Sequence, residues 1–131
     1  MRSYVTTKEI GAYGERLAAR YLLFRGHRIL TRNYRAGKFE IDLVTETPRD
    51  IVFTEVKARV YNSPEESETF PPPRQAVDAD KQSFTRSAAL AYLRAHPTKK
   101  RPRMDVIEVL LLKRDGKKPK VYAIRRIKAA Y

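Results

Sequence analysis

Hydrophobic and polar positions change period along this chain, and the changes mark out its elements. From Lys8 to Arg25 the spacing is helical: Ile10, Leu17, Tyr21 and Phe24 fall near one face, with Gly14, Ala18 and Leu22 beside it. Thr6 or Thr7 is placed to cap the start, and Gly26 to stop the helix. Arg28 to Arg35 predicts a strand and Ala36-Gly37-Lys38 a turn. Phe39 to Glu46 alternates, which puts Phe39, Ile41 and Leu43 on one face and Glu40, Asp42 and Val44 on the other. Thr47-Pro48-Arg49-Asp50 is turn chemistry, and Ile51 to Val60 is rich in β-branched residues. These two strands are expected to form a hairpin.

Residues 61–73 hold four prolines and three glutamates, so a mobile acidic, proline-rich loop is expected there. Arg74 to Ala95 predicts a second helix with Val77, Phe84, Ala88, Ala91 and Tyr92 as its apolar stripe, ended by Pro97. Met104 to Leu112 and Pro119 to Arg125 predict two further strands around Asp115-Gly116, followed by a basic tail over residues 126–131. The long helix permits a parallel crossover between the third and fourth strands. The expected class is therefore α/β, with a mixed sheet flanked by helices. A chain of 131 residues fits a single domain.

Composition narrows the chemistry. There is no cysteine, which excludes disulfides, cysteine-bearing zinc sites and thiol nucleophiles. Two histidines, His27 and His96, cannot build a three-histidine zinc site; surface roles at helix ends suit them better. The longest apolar run, Ala88 to Leu93, falls far short of the roughly 20 residues of a membrane span. With no apolar leader after Met1, a cytoplasmic protein is expected.

Net charge is +13, unevenly spread. Residues 1–38 carry nine bases and two acids, residues 39–98 seven bases and ten acids, and residues 99–131 twelve bases and three acids. An acidic middle within a basic frame suits a polyanion held against a divalent metal. Lys99-Lys100-Arg101 and Lys117-Lys118-Pro119-Lys120 are candidate phosphate contacts. Tyr34, Tyr61 and Phe70 are candidate stacking residues, though packing is the safer role for them.

The hairpin register follows from its turn. Centred between Pro48 and Arg49, it sets Asp42 opposite Glu55 and Glu40 opposite Lys57, all four on one face. Opposed carboxylates repel, and a divalent cation such as Mg²⁺ or Mn²⁺ would relieve the cost. Lys57 would then orient or help activate water, or stabilise charge on a phosphate. The plainer reading is a solvated hairpin face with Glu40 and Lys57 as a cross-strand ion pair. Val44 opposite Phe53 weakens it, because one end of that face requires burial. Lys81 and Gln82 stand where the second helix could face the pocket, and Asp105, in an apolar strand, is expected to pair with Arg103 or a helix base.

Asp42, twelve intervening residues, then Glu55-Val56-Lys57 resembles the D…(D/E)-x-K signature of the PD-(D/E)XK nuclease superfamily. The flanking blocks are more specific: Gly11-Ala12-Tyr13-Gly14-Glu15, Asn33-Tyr34-Arg35, Glu40-Ile41-Asp42-Leu43-Val44, Val52 to Arg59, Ala76-Val77-Asp78, Lys81-Gln82 and Arg103 to Ile107. Over roughly residues 8–125 they resemble the YraN-like family of bacterial proteins. That resemblance implies a restriction-endonuclease-like αβββαβ core, similar to Holliday-junction resolvases. It implies Asp42, Glu55 and the Val56 carbonyl as metal ligands, Lys57 as the catalytic lysine and Glu15 as a helix glutamate brought to the metal. Ile41 stands where the superfamily's proline would be, and Phe39 where glycine is usual. The expected function is Mg²⁺- or Mn²⁺-dependent hydrolysis of phosphodiester bonds in DNA, branched or damaged, with a homodimer expected by analogy. The alternative is a non-catalytic nucleic-acid-binding module on a nuclease-like fold. A weaker alternative is an interaction protein that meets its partner through residues 61–73.

Overall fold

Thr6 starts the first helix by a reciprocal cap: its hydroxyl accepts from Glu9 N at 3.1 Å, and Glu9 Oε1 accepts from Thr6 N at 3.1 Å. The helix, α1, runs Thr7–Leu23, and Gly26 at φ +83° lets the chain turn away from it. The computed structural model describes residues 6–68 and 79–131. Five strands follow α1: β1 Arg28–Ala36, β2 Phe39–Glu46, β3 Asp50–Tyr61, β4 Arg101–Leu112 and β5 Lys120–Ile127. A short helix, α2 (Pro64–Ser67), and a long one, α3 (Ala79–Ala95), lie between β3 and β4.

The sheet order is β1-β2-β3-β4-β5, antiparallel except for the parallel β3–β4 pair. The crossover through α3 makes that one parallel pair possible. The result is a mixed sheet flanked by helices, compatible with a restriction-endonuclease-like core. No helix among the described residues is long and apolar enough to cross a membrane.

The core has two layers, one on each face of the sheet. Ala18, Ala19 and Leu22 of α1 pack with Leu43, Ile107, Val109 and Leu111. Ala88, Ala89 and Tyr92 of α3 pack with Ile41, Val44, Ile51, Phe53 and Met104. The buried residues of α1 are Gly14, Ala18, Ala19 and Leu22, and Ile10, Leu17 and Tyr21 of the expected stripe pack partly buried against the same core. Phe24 caps the helix and is 81% exposed, because the helix has already ended at Leu23. Small residues let α1 lie close to the sheet: a Cβ at Gly14 would meet Ala58 Cβ at 2.5 Å.

The expected alternation in β2 fails at one point. Ile41 and Val44 both pack on the α3 side, whereas Leu43 packs on the α1 side. The slip falls at Asp42, next to Asn33 on β1 with φ +51°, where the β1–β2 ladder omits the Asn33/Asp42 step.

Residues 61–73, expected as irregular loop, begin differently. Tyr61 is the last, buried residue of β3, and Ser63 caps the turn of helix α2 with Pro64 at its first position and Glu65 and Glu66 in its first turn. Residues 69–73, including Phe70, and residues 74–78 at the expected start of the second helix lie outside the described residues. The expected basic tail is partly strand and then docked: Ala129 N donates to Asp105 Oδ1 at 3.0 Å and Ala130 N to Met104 O at 2.7 Å. Tyr131 packs on the α3-side core.

Candidate functional site

The register inferred from the turn holds where the ladder forms. Leu43 pairs with Thr54, Val44 with Phe53, Thr45 with Val52 and Glu46 with Ile51. It stops there: Asp42 with Glu55 and Glu40 with Lys57 are not ladder pairs. The physical reason is visible at Asp42, whose Oδ2 accepts a hydrogen bond from Val56 N at 2.7 Å. A side chain has replaced the backbone rung, so β2 and β3 open into a fork. In an antiparallel pair a residue's N–H and C=O face the same neighbour. The Val56 carbonyl therefore looks into the same fork as its N–H.

Three elements deliver acids to this fork. Glu55 comes from β3 and is only 4% exposed. Asp42 comes from β2. Glu15 comes from α1, carried close by the glycine contact at Gly14 and Ala58, and it hydrogen-bonds both Asn33 and Asp42. Burial, then the charge of Glu55, pushes the Asp42 carboxyl up to about 7, against the lowering effect of the Val56 N–H. Glu15 is also raised, by burial and by Glu40 and Glu55, with the bonds to Asn33 and Asp42 opposing.

Two ammonium groups balance Glu55. Lys57 Nζ lies 3.5 Å and Lys81 Nζ 3.3 Å from Glu55 Oε1. Burial alone would lower Lys81, but the pull of Glu55, with smaller contributions from Asp42 and Glu40, holds it above its ordinary value. Lys57 reaches up from the sheet and Lys81 down from α3, so the buried carboxylate is bracketed. Among the described residues no three Asp, Glu or His side chains gather closely enough to cage a metal by themselves.

Glu15, Asp42, Glu55, Val56 and Lys57 are thus brought to one fork, with Lys81 beside them. Glu40 departs from expectation: it pairs with Arg35 at 3.0 Å, not with Lys57, because the ladder that would have opposed them has already opened. Asn33 belongs to the Asn33-Tyr34-Arg35 block of β1. Its left-handed backbone beside the fork is the feature that marks it, and an asparagine is among the few residues that accept that conformation readily. Asp105 pairs with Arg103 as expected, through two contacts of 2.9 Å. Tyr34 packs edge-on against Tyr92, in keeping with the packing role, and His96 stacks on Tyr92. His27 is no surface group: it is 5% exposed, bonded to Thr45 and Arg126.

A model of the uncharacterised protein family UPF0102 matches residues 14–109, which carry every residue of the fork. The chain belongs to this family. It is the YraN-like family of the motif blocks. A UPF0102 protein of Caldanaerobacter subterraneus is 39% identical over 108 residues, covering 82% of this chain and 84% of the relative. One from Chlorobaculum tepidum is 37% identical over 126 residues, covering 93% and 91%. One from Solibacter usitatus is 43% identical over 104 residues, covering 77% and 74%. These UPF0102 proteins bear no activity in their names.

Proposed function

We propose that this UPF0102 protein is a divalent-metal-dependent endonuclease that hydrolyses phosphodiester bonds in DNA, with branched or damaged DNA as its substrate class. The observation that carries the reading is geometric: Asp42 Oδ2 sits 2.7 Å from Val56 N beside buried Glu55, and burial together with the Glu55 charge raises the Asp42 carboxyl. Such a donor set is costly when ionised and empty of cations, and it is made of the hard oxygens that Mg²⁺ and Mn²⁺ select. Asp42, Glu55 and the Val56 carbonyl would hold the ion. Mg²⁺ commonly uses one or two carboxylates and keeps its waters, so two acids fit it without a third. When bound, such an ion would supply Lewis-acid charge to a phosphoryl oxygen and acidify water.

The remaining work falls to this chain's own groups. The Val56 N–H fixes Asp42 Oδ2 and so orients the carboxylate. Glu15 meets Asp42 from α1 and is itself held by Asn33 of β1. Lys57, about one-third exposed, can orient a water or stabilise charge developing on phosphate, and Lys81 faces the same space from α3. The basic residues of 1–38 and 99–131 attract the polyanion. A homodimer would suit a branched substrate and is read out by light scattering.

Branched, single-stranded and duplex DNA incubated with protein and Mg²⁺ or Mn²⁺ test this. Glu55→Ala and Lys57→Ala are each expected to lower the cleavage rate by roughly 10²–10³-fold, the usual loss for a group that stabilises transition-state charge. Cleavage that survives both substitutions rejects the assigned site. A second reading, nucleic-acid binding without chemistry, is favoured by one observation: Lys57 and Lys81 already neutralise Glu55. It predicts salt-sensitive DNA binding that needs no divalent ion and persists in Asp42→Ala, with no cleavage.

A further inference from the structure

The opposite end of the sheet from the Asp42 fork holds a second concave site. Its base is the β2–β3 turn. Thr47 Oγ1 accepts from Arg49 N at 3.3 Å and from Asp50 N at 3.0 Å, and Thr47 N donates to Asp50 O at 2.9 Å. This closed turn fixes Arg49 at its tip. Arg25 from the end of α1, His27, Arg103 from β4, Arg126 from β5 and Lys128 complete the wall of a cavity of about 320 Å³.

The lining holds five permanent cations and one carboxylate, Asp50. That carboxylate is already engaged by Arg101 Nε at 3.1 Å and Arg103 at 2.9 Å. Arg103 gives the rest of its guanidinium to Asp105, so this pair of acids consumes Arg103 and Arg101 and leaves nothing for the others. Among the described residues Arg49 and Lys128 make no ion pair, and both are exposed. Arg25 lies 3.5 Å above the Tyr21 ring, which holds its guanidinium in place without cancelling its charge.

Arg126 is aimed by a buried group. It donates to His27 Nε2 at 3.3 Å, and His27 Nδ1 lies 2.9 Å from Thr45 Oγ1. An arginine only donates, so Nε2 is the accepting nitrogen and Nδ1 carries the proton toward the threonine. The neutral, 5%-exposed imidazole thus orients a cation without matching it with a negative charge. Unmatched cations around a concavity repel one another and concentrate an anion there. Several guanidinium groups converging on one point are suited to the tetrahedral oxygens of phosphate.

We propose that this pocket binds a phosphate of the nucleic-acid backbone, as a second anchoring point remote from the Asp42 fork. The proposal rests on the nucleic-acid part of the reading above, not on cleavage. Thr47, one residue past the end of β2, is five residues from Asp42, which is about 16 Å at the strand rise. At ~3.4 Å per base pair this is about five base pairs of duplex. The pocket would therefore hold a phosphate about five steps from the one at the fork.

The full-length, ¹⁵N-labelled protein in metal-free buffer separates the sources of phosphate. Pyrophosphate and a short DNA duplex are titrated separately while the backbone amides of Thr47, Arg49 and Asp50 are followed. The duplex is expected to shift these amides. The double variant Arg49→Ala, Lys128→Ala is expected to reduce the slope of log affinity against log salt by about 2, one for each lost phosphate contact. Arg49→Lys in place of Arg49→Ala is expected to restore one of the two. Amides that respond to pyrophosphate but not to duplex would overturn the anchoring of nucleic acid and assign the pocket to small phosphate compounds. Amides that respond to neither, or a salt slope unchanged in the double variant, would overturn the site altogether. Glu55→Gln distinguishes this outcome from failure of the nuclease reading: it lowers any cleavage and leaves the amide shifts in place.

Discussion

Asp42 carries an acid held against its own ionisation. Its folded-state pKa of about 7 lies above the ordinary aspartate value near 3.9. The sign of its effect follows: this group's contribution to stability is complete below about pH 4 and is lost as pH rises through 7. The metal-free protein should therefore melt at progressively lower temperature as pH rises from 5 to 8, by scanning calorimetry, and the decline should be shallower in Asp42→Asn. Asp42→Asn keeps an acceptor for the Val56 N–H and removes the charge, so its melting temperature at pH 8 should exceed that of the wild type by several degrees. An unchanged or lower value contradicts the burial and repulsion assigned to Asp42. At this scale most of the fork was legible. The two-residue period of β3 set Glu55 and Lys57 together, and the turn register brought Asp42 near them although the alternation of β2 breaks at that residue. The partner of Glu40 was not legible, since an opened ladder leaves no local mark in the sequence. Asn33 and the buried state of His27 depend on a backbone twist and on a β5 residue 99 positions away, which periodicity cannot report.

At the level of elements, the contact between α1 and β3 sets how far Glu15 reaches. Gly14 sits where an added methyl would meet Ala58 Cβ at 2.5 Å. Gly14→Ala should gain about 1 kcal/mol in helix propensity and lose roughly 1–3 kcal/mol to overpacking, for a net loss of about 1 kcal/mol by urea unfolding. It should also lower any cleavage rate, by moving α1 and Glu15 off the fork. A variant as stable and as active as the wild type would show that the approach is not tight. The same contact explains why Gly14, Ala18 and Ala19 lie deeper than Ile10, Leu17 and Tyr21, which are only partly buried against the same core. A stripe of large residues is the usual mark of burial, but a helix laid closely on a sheet buries glycine and alanine and leaves Phe24 outside. The β2–β3 hairpin and the parallel crossover were legible because each follows from element lengths and turn residues. The turn of helix at Pro64–Ser67 depended on a serine cap inside a segment whose composition reads as loop.

For the whole molecule, charge and fold point the same way. The middle of the chain supplies Asp42 and Glu55, with Glu15 from the segment before it, while the flanking segments supply most of the bases. Binding to DNA should accordingly weaken steeply with salt, as counterion release requires, in wild type and in Glu55→Gln alike. Fluorescence anisotropy at several salt concentrations checks this, and salt-independent binding would contradict it. Cation binding at the fork is the point on which the functional reading stands, and it can be measured without any substrate. In a titration of the protein with Mn²⁺ at pH 8, followed by the paramagnetic resonance of the free ion, the wild type and Lys57→Ala should each take up Mn²⁺, while Asp42→Asn and Glu55→Gln should take up far less. Equal uptake by all four, or none by the wild type, would contradict a metal held between Asp42 and Glu55.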